Sequence, residues 1–97
     1  MRGQELLTFV VYDIVDDRVR GRVANACKDY GLERIQYSAF CGVLDASRRS
    51  ELAARLADTL GRELGKIMVL PVCEKDARAR RDLVNQPAAE DGAHARG

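Results

Sequence analysis

The chain has 97 residues, 32% of them charged and 46% hydrophobic, and a formal net charge of +1. That length supports one small core burying only roughly 60 to 65 per cent of the unfolded surface, so a second chain packing against it is expected. The near-zero charge argues against wrapping nucleic acid by bulk electrostatics, and no stretch approaches the roughly 18 apolar residues of a membrane span.

MRGQE is followed by LLTFVVY, too short and too soon interrupted by an acid to be a secretory leader. Cys27, Cys41 and Cys73 are odd in number and lack a C-x-x-C pair, so they read as reduced core fillers. A cytoplasmic location is expected. The basic residues number 16, of which 13 are Arg. They cluster at Arg18, Arg20 and Arg22, at Arg48 and Arg49, and at Arg78, Arg80 and Arg81, where the planar guanidinium suits phosphate or carboxylate.

Residues 6 to 13, LLTFVVYD, form a strand that is apolar on both faces: Leu7, Phe9 and Val11 point one way, Leu6, Val10 and Tyr12 the other. The chain can roof one face with its own helices, so the other face is expected to meet a partner. Asp16 or Asp17 then caps a helix on which Val19, Val23, Ala26, Cys27 and Tyr30 recur at helical spacing. Gly31 is expected to close it in the left-handed conformation, with Leu32 packing back on the last turn.

Residues 34 to 44, RIQYSAFCGVL, alternate as strands do but exceed the usual strand length, so a tight turn near Gln36 to Ser38 is expected to split them. Asp45 or Ser47 caps a second helix carrying the stripe Leu52, Leu56, Leu60 and Leu64, with Gly65 as its end. KIMVLPVC, residues 66 to 73, is a further strand whose Pro71 marks an edge or a strand end. The segment after Cys73 loses its pattern, and residues 87 to 97, which contain the lone His94, have the composition of a disordered tail; residues 1 to 86 are read as one domain. The order gives an α+β, ferredoxin-like βαββαβ arrangement with helices on one face of a small sheet.

Asp13 follows six apolar positions and precedes the helix cap, a costly place for a carboxylate that has no partner. If the open sheet face pairs with a second copy about a two-fold axis, Asp13 meets its own twin. Two carboxylates plus waters suit Mg²⁺, and such an ion can act on a phosphodiester. Capping explains Asp16 and Asp17. Arg20 and Arg22 diverge by about 200° on a helix, and each can approach a phosphate near Asp13 or pair with Asp16, Asp17 or Asp29. Phe40, beside Ser38 and Gln36, can stack on a base or pack in the core; both readings are open at this point.

The combination of YDI-x-DD at 12 to 17, R-x-R at 20 to 22, YGL-x-RIQYS-x-F at 30 to 40 and LPVC at 70 to 73 resembles the CRISPR-associated protein 2 family over roughly residues 6 to 75. These are small endoribonucleases and spacer-adaptation subunits. The resemblance implies a ferredoxin-like homodimer with its sheet faces together, and Mg²⁺ (Mn²⁺ also being suited) shared by the two Asp13 as catalytic metal ligands. It implies a site around that ion formed by Tyr12, Arg20, Arg22, Arg34 and Phe40, with Ser38 in the same motif, acting on RNA or DNA. It also implies partnership with the CRISPR integrase, as a nuclease or as a non-catalytic scaffold. A last strand around Leu83 and Val84, crossing to the partner's sheet, is a further implication. Related ferredoxin-like ribonuclease toxins are the alternative. Cys41, where many relatives carry an acidic or bulky residue, and the tail after Pro87 depart from the family pattern.

Overall fold

The computed structural model describes residues 5 to 85. The expected tail at 87 to 97, His94 included, lies outside the described residues. In chain order the elements are β1 (Leu6–Ile14), α1 (Asp17–Asp29), β2 (Glu33–Gln36), β3 (Ala39–Leu44), α2 (Ala46–Leu60), β4 (Gly65–Val72) and a short α3 (Glu74–Ala79).

The four strands form one antiparallel sheet in the order β2-β3-β1-β4. β1 is central, and its two apolar faces have different fates. Thr8, Val10, Tyr12 and Ile14 are buried, whereas Val11 is 40% exposed and Asp13 is exposed. The buried set packs with Val19, Val23, Ala24, Ala26 and Cys27 of α1, Leu52 and Leu56 of α2, and Phe40 and Leu44 of β3. Both helices therefore roof one face. The other bears Phe9, Val11, Cys41, Val43, Met68 and Leu70, paired across the strands as Phe9 with Cys41 and Leu70, and Val11 with Met68. Val43, Met68 and Leu70 are each about half exposed, at 50%, 51% and 45%.

The helix ends follow from their capping residues. Asp16 caps α1 by accepting from the Val19 amide at 3.0 Å, and Asp45 caps α2 by accepting from the Arg48 amide at 2.7 Å. At the far end of α1, Gly31 at φ 82° lets its amide donate to the Lys28 carbonyl at 2.9 Å while the Leu32 amide donates to the Cys27 carbonyl at 3.1 Å. This is a Schellman closure, and the buried Leu32 side chain completes it.

Two expectations change. α2 stops at Leu60, with Gly61 at φ 54° and its amide donating to the Ala57 carbonyl, so Gly65 opens β4 rather than ending the helix. Leu64, lying beyond that stop, leaves the apolar stripe and is 79% exposed. Within the chain α3 precedes an irregular stretch at 80 to 85, where Leu83 is 93% exposed; the strand expected around Leu83 and Val84 is one that pairs with a partner's sheet and not with this one. A strand needs a neighbouring ladder, and this segment has none within the chain. The split of 34 to 44 falls as expected, with the turn at Tyr37 and Ser38 and a register shift between Arg34 and Gln36.

Candidate functional site

Successive side chains of a strand leave on opposite faces, and this separates the residues grouped by the sequence. Asp13 projects from the open face with Phe9 and Val11, while Tyr12 projects into the helix-covered face. On the open face, Asp13 stands opposite Lys66 and Val11 opposite Met68 in the β1–β4 register. A cleft of about 280 Å³ lies there, lined by Val11, Tyr12, Asp13, Lys66, Ile67 and Met68.

A second cleft, of about 180 Å³, lies where α1 meets the β2–β3 turn, lined by Tyr12, Asp17, Arg20, Gly21, Ala24, Arg34 and Tyr37. Its arginines hold the surrounding backbone. Arg20 donates to the carbonyls of Ile14 and Val15, each at 3.0 Å, and pairs with Asp17. Arg34 donates to the Tyr37 carbonyl, and its guanidinium carbon is 4.8 Å from the Phe40 ring centroid. Tyr37 is 72% exposed, with Arg20 5.6 Å from its ring centroid. Burial pushes the Tyr12 hydroxyl's pKa above its usual value, with the Arg34 charge opposing that rise.

The structure thus brings Tyr12, Arg20, Arg34 and Phe40 together but sets them behind the sheet from Asp13. Arg22 is exposed on α1 and lines neither cleft. Ser38 enters through its backbone, its carbonyl accepting from the Tyr12 amide at 3.0 Å. The base-stacking reading of Phe40 is corrected. The ring has 0% exposure and lies 6.4 Å from that of Tyr12, itself 4% exposed, so neither presents a face to a base. Tyr37 and Lys66, which border the two clefts, are not singled out by the sequence. Turn exposure singles out the first, and only the β1–β4 register brings the second beside Asp13.

As to a metal, among the described residues no group of three or more His, Cys, Asp or Glu side chains could hold an ion. One chain supplies a single accessible carboxylate to the open face at this point. A carboxylate is the kind of donor that suits a hard, oxygen-seeking cation such as Mg²⁺, and a shell with two such ligands would need a second copy of the chain to add its own Asp13.

The family model for CRISPR associated protein Cas2 matches residues 6–80. The chain belongs to the Cas2 family. A CRISPR-associated endoribonuclease Cas2 from Desulforudis audaxviator is 47% identical over 89 residues, covering 91% of this chain and 84% of that protein. A CRISPR-associated endonuclease Cas1/endonuclease Cas2 fusion from Thermoproteus tenax is 48% identical over 61 residues, 58% of this chain and 23% of the fusion. The crystal structure of a hypothetical protein from Thermus thermophilus superposes with a TM-score of 0.71 at 30% identity, covering 84% of this chain and 93% of that one. The ferredoxin-like α+β fold read from the sequence is the fold of this family's solved members. Among the described residues of this Cas2 family member, no helix is long and apolar enough to cross a membrane.

Proposed function

We propose that the chain acts in CRISPR adaptation as a homodimer, joined through its open sheet faces, that cleaves phosphodiester bonds of RNA or duplex DNA. The observation that carries this reading is the position of Asp13: an exposed carboxylate on the apolar sheet face that α1 and α2 leave uncovered, where Arg80 lies over Phe9 farther along β1 and away from Asp13. Val11, Met68 and Leu70 are too apolar and too exposed to be left as free surface, and a second copy about a two-fold axis covers them. The same axis brings the two carboxylates together.

The two Asp13 side chains would hold Mg²⁺, with Mn²⁺ as a substitute, and the bound ion would supply charge stabilisation and an activated water at the phosphodiester. The remaining work falls to the protein. The apolar rim of Val11 and Met68 keeps bulk water from the carboxylates, which strengthens their grip on a cation. Arg20 and Arg34 fix the end of β1 and the β2–β3 turn, and Tyr37 and Arg22 are left at the surface to meet a nucleic acid strand passing the sheet edge.

The test is a metal titration against single-stranded RNA and duplex DNA side by side. Asp13→Asn is expected to abolish metal-dependent cleavage of both while the dimer persists by sedimentation. Unchanged cleavage in that variant would overturn the reading.

A second reading, in which the dimer is a scaffold that holds DNA for the integrase, is favoured by the fused relative, whose name joins Cas1 and Cas2 in one chain. Of the cluster this reading relies on, Arg78 already pairs with Glu74 at 2.9 Å and Arg80 with Asp82 at 3.0 Å, which leaves Arg81 as the main group for holding DNA. Spacer acquisition that survives Asp13→Asn and fails on neutralising Arg78, Arg80 and Arg81 would establish it.

A further inference from the structure

We infer that Lys66 is a phosphate-binding residue of the Asp13 cleft, holding the nucleic acid backbone beside the bond to be cut. The inference rests on the proposed use of Asp13, and adds to it the group that holds substrate.

Directly opposed residues of an antiparallel pair share a face, with Cβ atoms about 4.5 to 5.5 Å apart. Asp13 and Lys66 are such a pair, and both are exposed. The neighbours of Lys66 on its strand fix the face: Ile67 and Val69 pack against the core, so Lys66, Met68 and Leu70 point to the open side. Asp13, Lys66, Val11 and Met68 therefore border one cleft of about 280 Å³.

The ammonium group is uncommitted. Among the described residues Arg20, Arg55, Arg78 and Arg80 are each tied to an acid within 4 Å, while neither Lys66 nor Asp13 is in an ion pair. A lysine on a flexible four-carbon stem offers three donors as a compact point charge, which suits a phosphate oxygen approached from varied directions.

Charge decides what the cleft attracts. In a pair of chains the two carboxylates offset the two ammonium groups, so an empty cleft is close to neutral. A divalent cation held by the carboxylates neutralises them and leaves both ammonium groups facing outward without an anion. The cleft then presents two positive charges on either side of the ion, a match for the phosphates that flank a phosphodiester. Such interactions read the backbone and not the base sequence.

The experiment uses the full-length chain with Asp13→Asn, in which cleavage cannot confuse binding and the competing carboxylate is gone. Binding of a fluorescein-labelled single-stranded oligoribonucleotide is followed by anisotropy over a range of salt, in Asp13→Asn and in its doubles with Lys66→Met and Lys66→Arg. The Met double is expected to bind more weakly for every sequence tried, and its slope of log affinity against log salt should fall by about 0.7 for each phosphate that is no longer neutralised. The Arg double should keep the slope. Equal slopes for Met and Lys in folded dimers would overturn the inference, as would a weakening shared by Met and Arg. Should the Met double fail to fold, Lys66→Gln against Lys66→Arg makes the same comparison. Absence of metal-dependent cleavage in the wild-type chain would overturn the proposed reaction, and the slopes would still decide the role of Lys66.

Discussion

Arg34 holds its guanidinium 4.8 Å from the centre of the Phe40 ring, and the two residues are opposed in the β2–β3 register. The ring is wholly buried, so one of its faces packs the core and the other supports a cation that also donates to the Tyr37 carbonyl. This stacking joins the core to the β2–β3 turn. Replacing Phe40 by Ala removes a buried aromatic and should cost about 4 kcal/mol, a large part of the stability of a domain this small. Arg34→Lys keeps the charge and loses the planar stack, and should cost about 1 kcal/mol. Urea denaturation followed by circular dichroism measures both. An effect of Phe40→Ala below that of Arg34→Lys would contradict the buried placement.

Stability should fall at alkaline pH through two buried groups. Burial pushes the Cys27 thiol up to about 11 from the 9.0 of a free thiol, and raises Tyr12 as well. A folded-state pKa above the unfolded one means that the folded chain prefers the protonated form. The contribution is complete below about pH 9 and is lost as pH rises towards 11. Thermal melts should therefore decline across that window, and less steeply in Cys27→Ala. The same burial predicts that iodoacetamide at pH 8 modifies the exposed Cys73 and spares Cys27 in the native chain.

Acid acts through Asp16. The Val19 amide that donates to it holds its carboxyl below the usual value of 3.8, so its contribution is present above that value and is lost as pH falls through the lowered one. Asparagine caps a helix without titrating. Asp16→Asn should keep helix content at pH 7 and flatten the acid limb of the stability profile as pH falls below 3.8.

Much of this arrangement was legible because it is set locally. An acid ahead of an apolar helical pattern and a Gly-Leu pair after it are enough to bound α1, and both caps of that helix are made by residues within a few positions of their targets. The two-sided apolar β1 likewise announced one face roofed by helices and one left open. Phe40 was harder to place because Gln36 and Ser38 made its side look polar, yet Gln36 ends β2 and Ser38 sits in the turn, so neither belongs to the strand that carries Phe40. The end of α2 depended on which of two glycines, Gly61 or Gly65, closes the helix, and the leucine stripe runs past the first and stops at Leu64, just before the second. Lys66 became a neighbour of Asp13 only through a register between the first and last strands, which no local pattern encodes.

Gly65 offers a test of how closely the site is built. Its φ is 151°, and a Cβ there would lie 2.6 Å from the Asp13 carbonyl oxygen and 3.0 Å from the Ile14 Cα. These are backbone atoms that cannot swing aside. Gly65→Ala should lower the melting temperature and disturb the Asp13 end of β1, with a matching loss of metal-dependent cleavage. Gly21 is the contrast: it lies within α1, and a Cβ there meets nothing within 4 Å. Gly21→Ala should raise stability by about 0.8 kcal/mol through helix propensity alone. If the two variants behave alike, the close approach at Gly65 is not what shapes the site.

The open face itself can be tested without touching Asp13. Met68 is 51% exposed and Val11 40% exposed, and they are opposed in the β1–β4 register at the centre of the uncovered apolar surface. A charge at either position costs little in a single chain, since water still reaches it. Buried between two sheets, it would be an unpaired charge with a partner of the same sign across the axis. Met68→Glu and Val11→Glu should therefore keep the circular dichroism spectrum of the folded chain yet move the sedimenting species from dimer to monomer, with cleavage lost in step. A charge reversal at Glu63, on the loop between α2 and β4, serves as the control: Glu63→Lys should leave the dimer intact. A dimer that withstands both open-face substitutions must be built on some other surface, and the two Asp13 would then have no reason to meet.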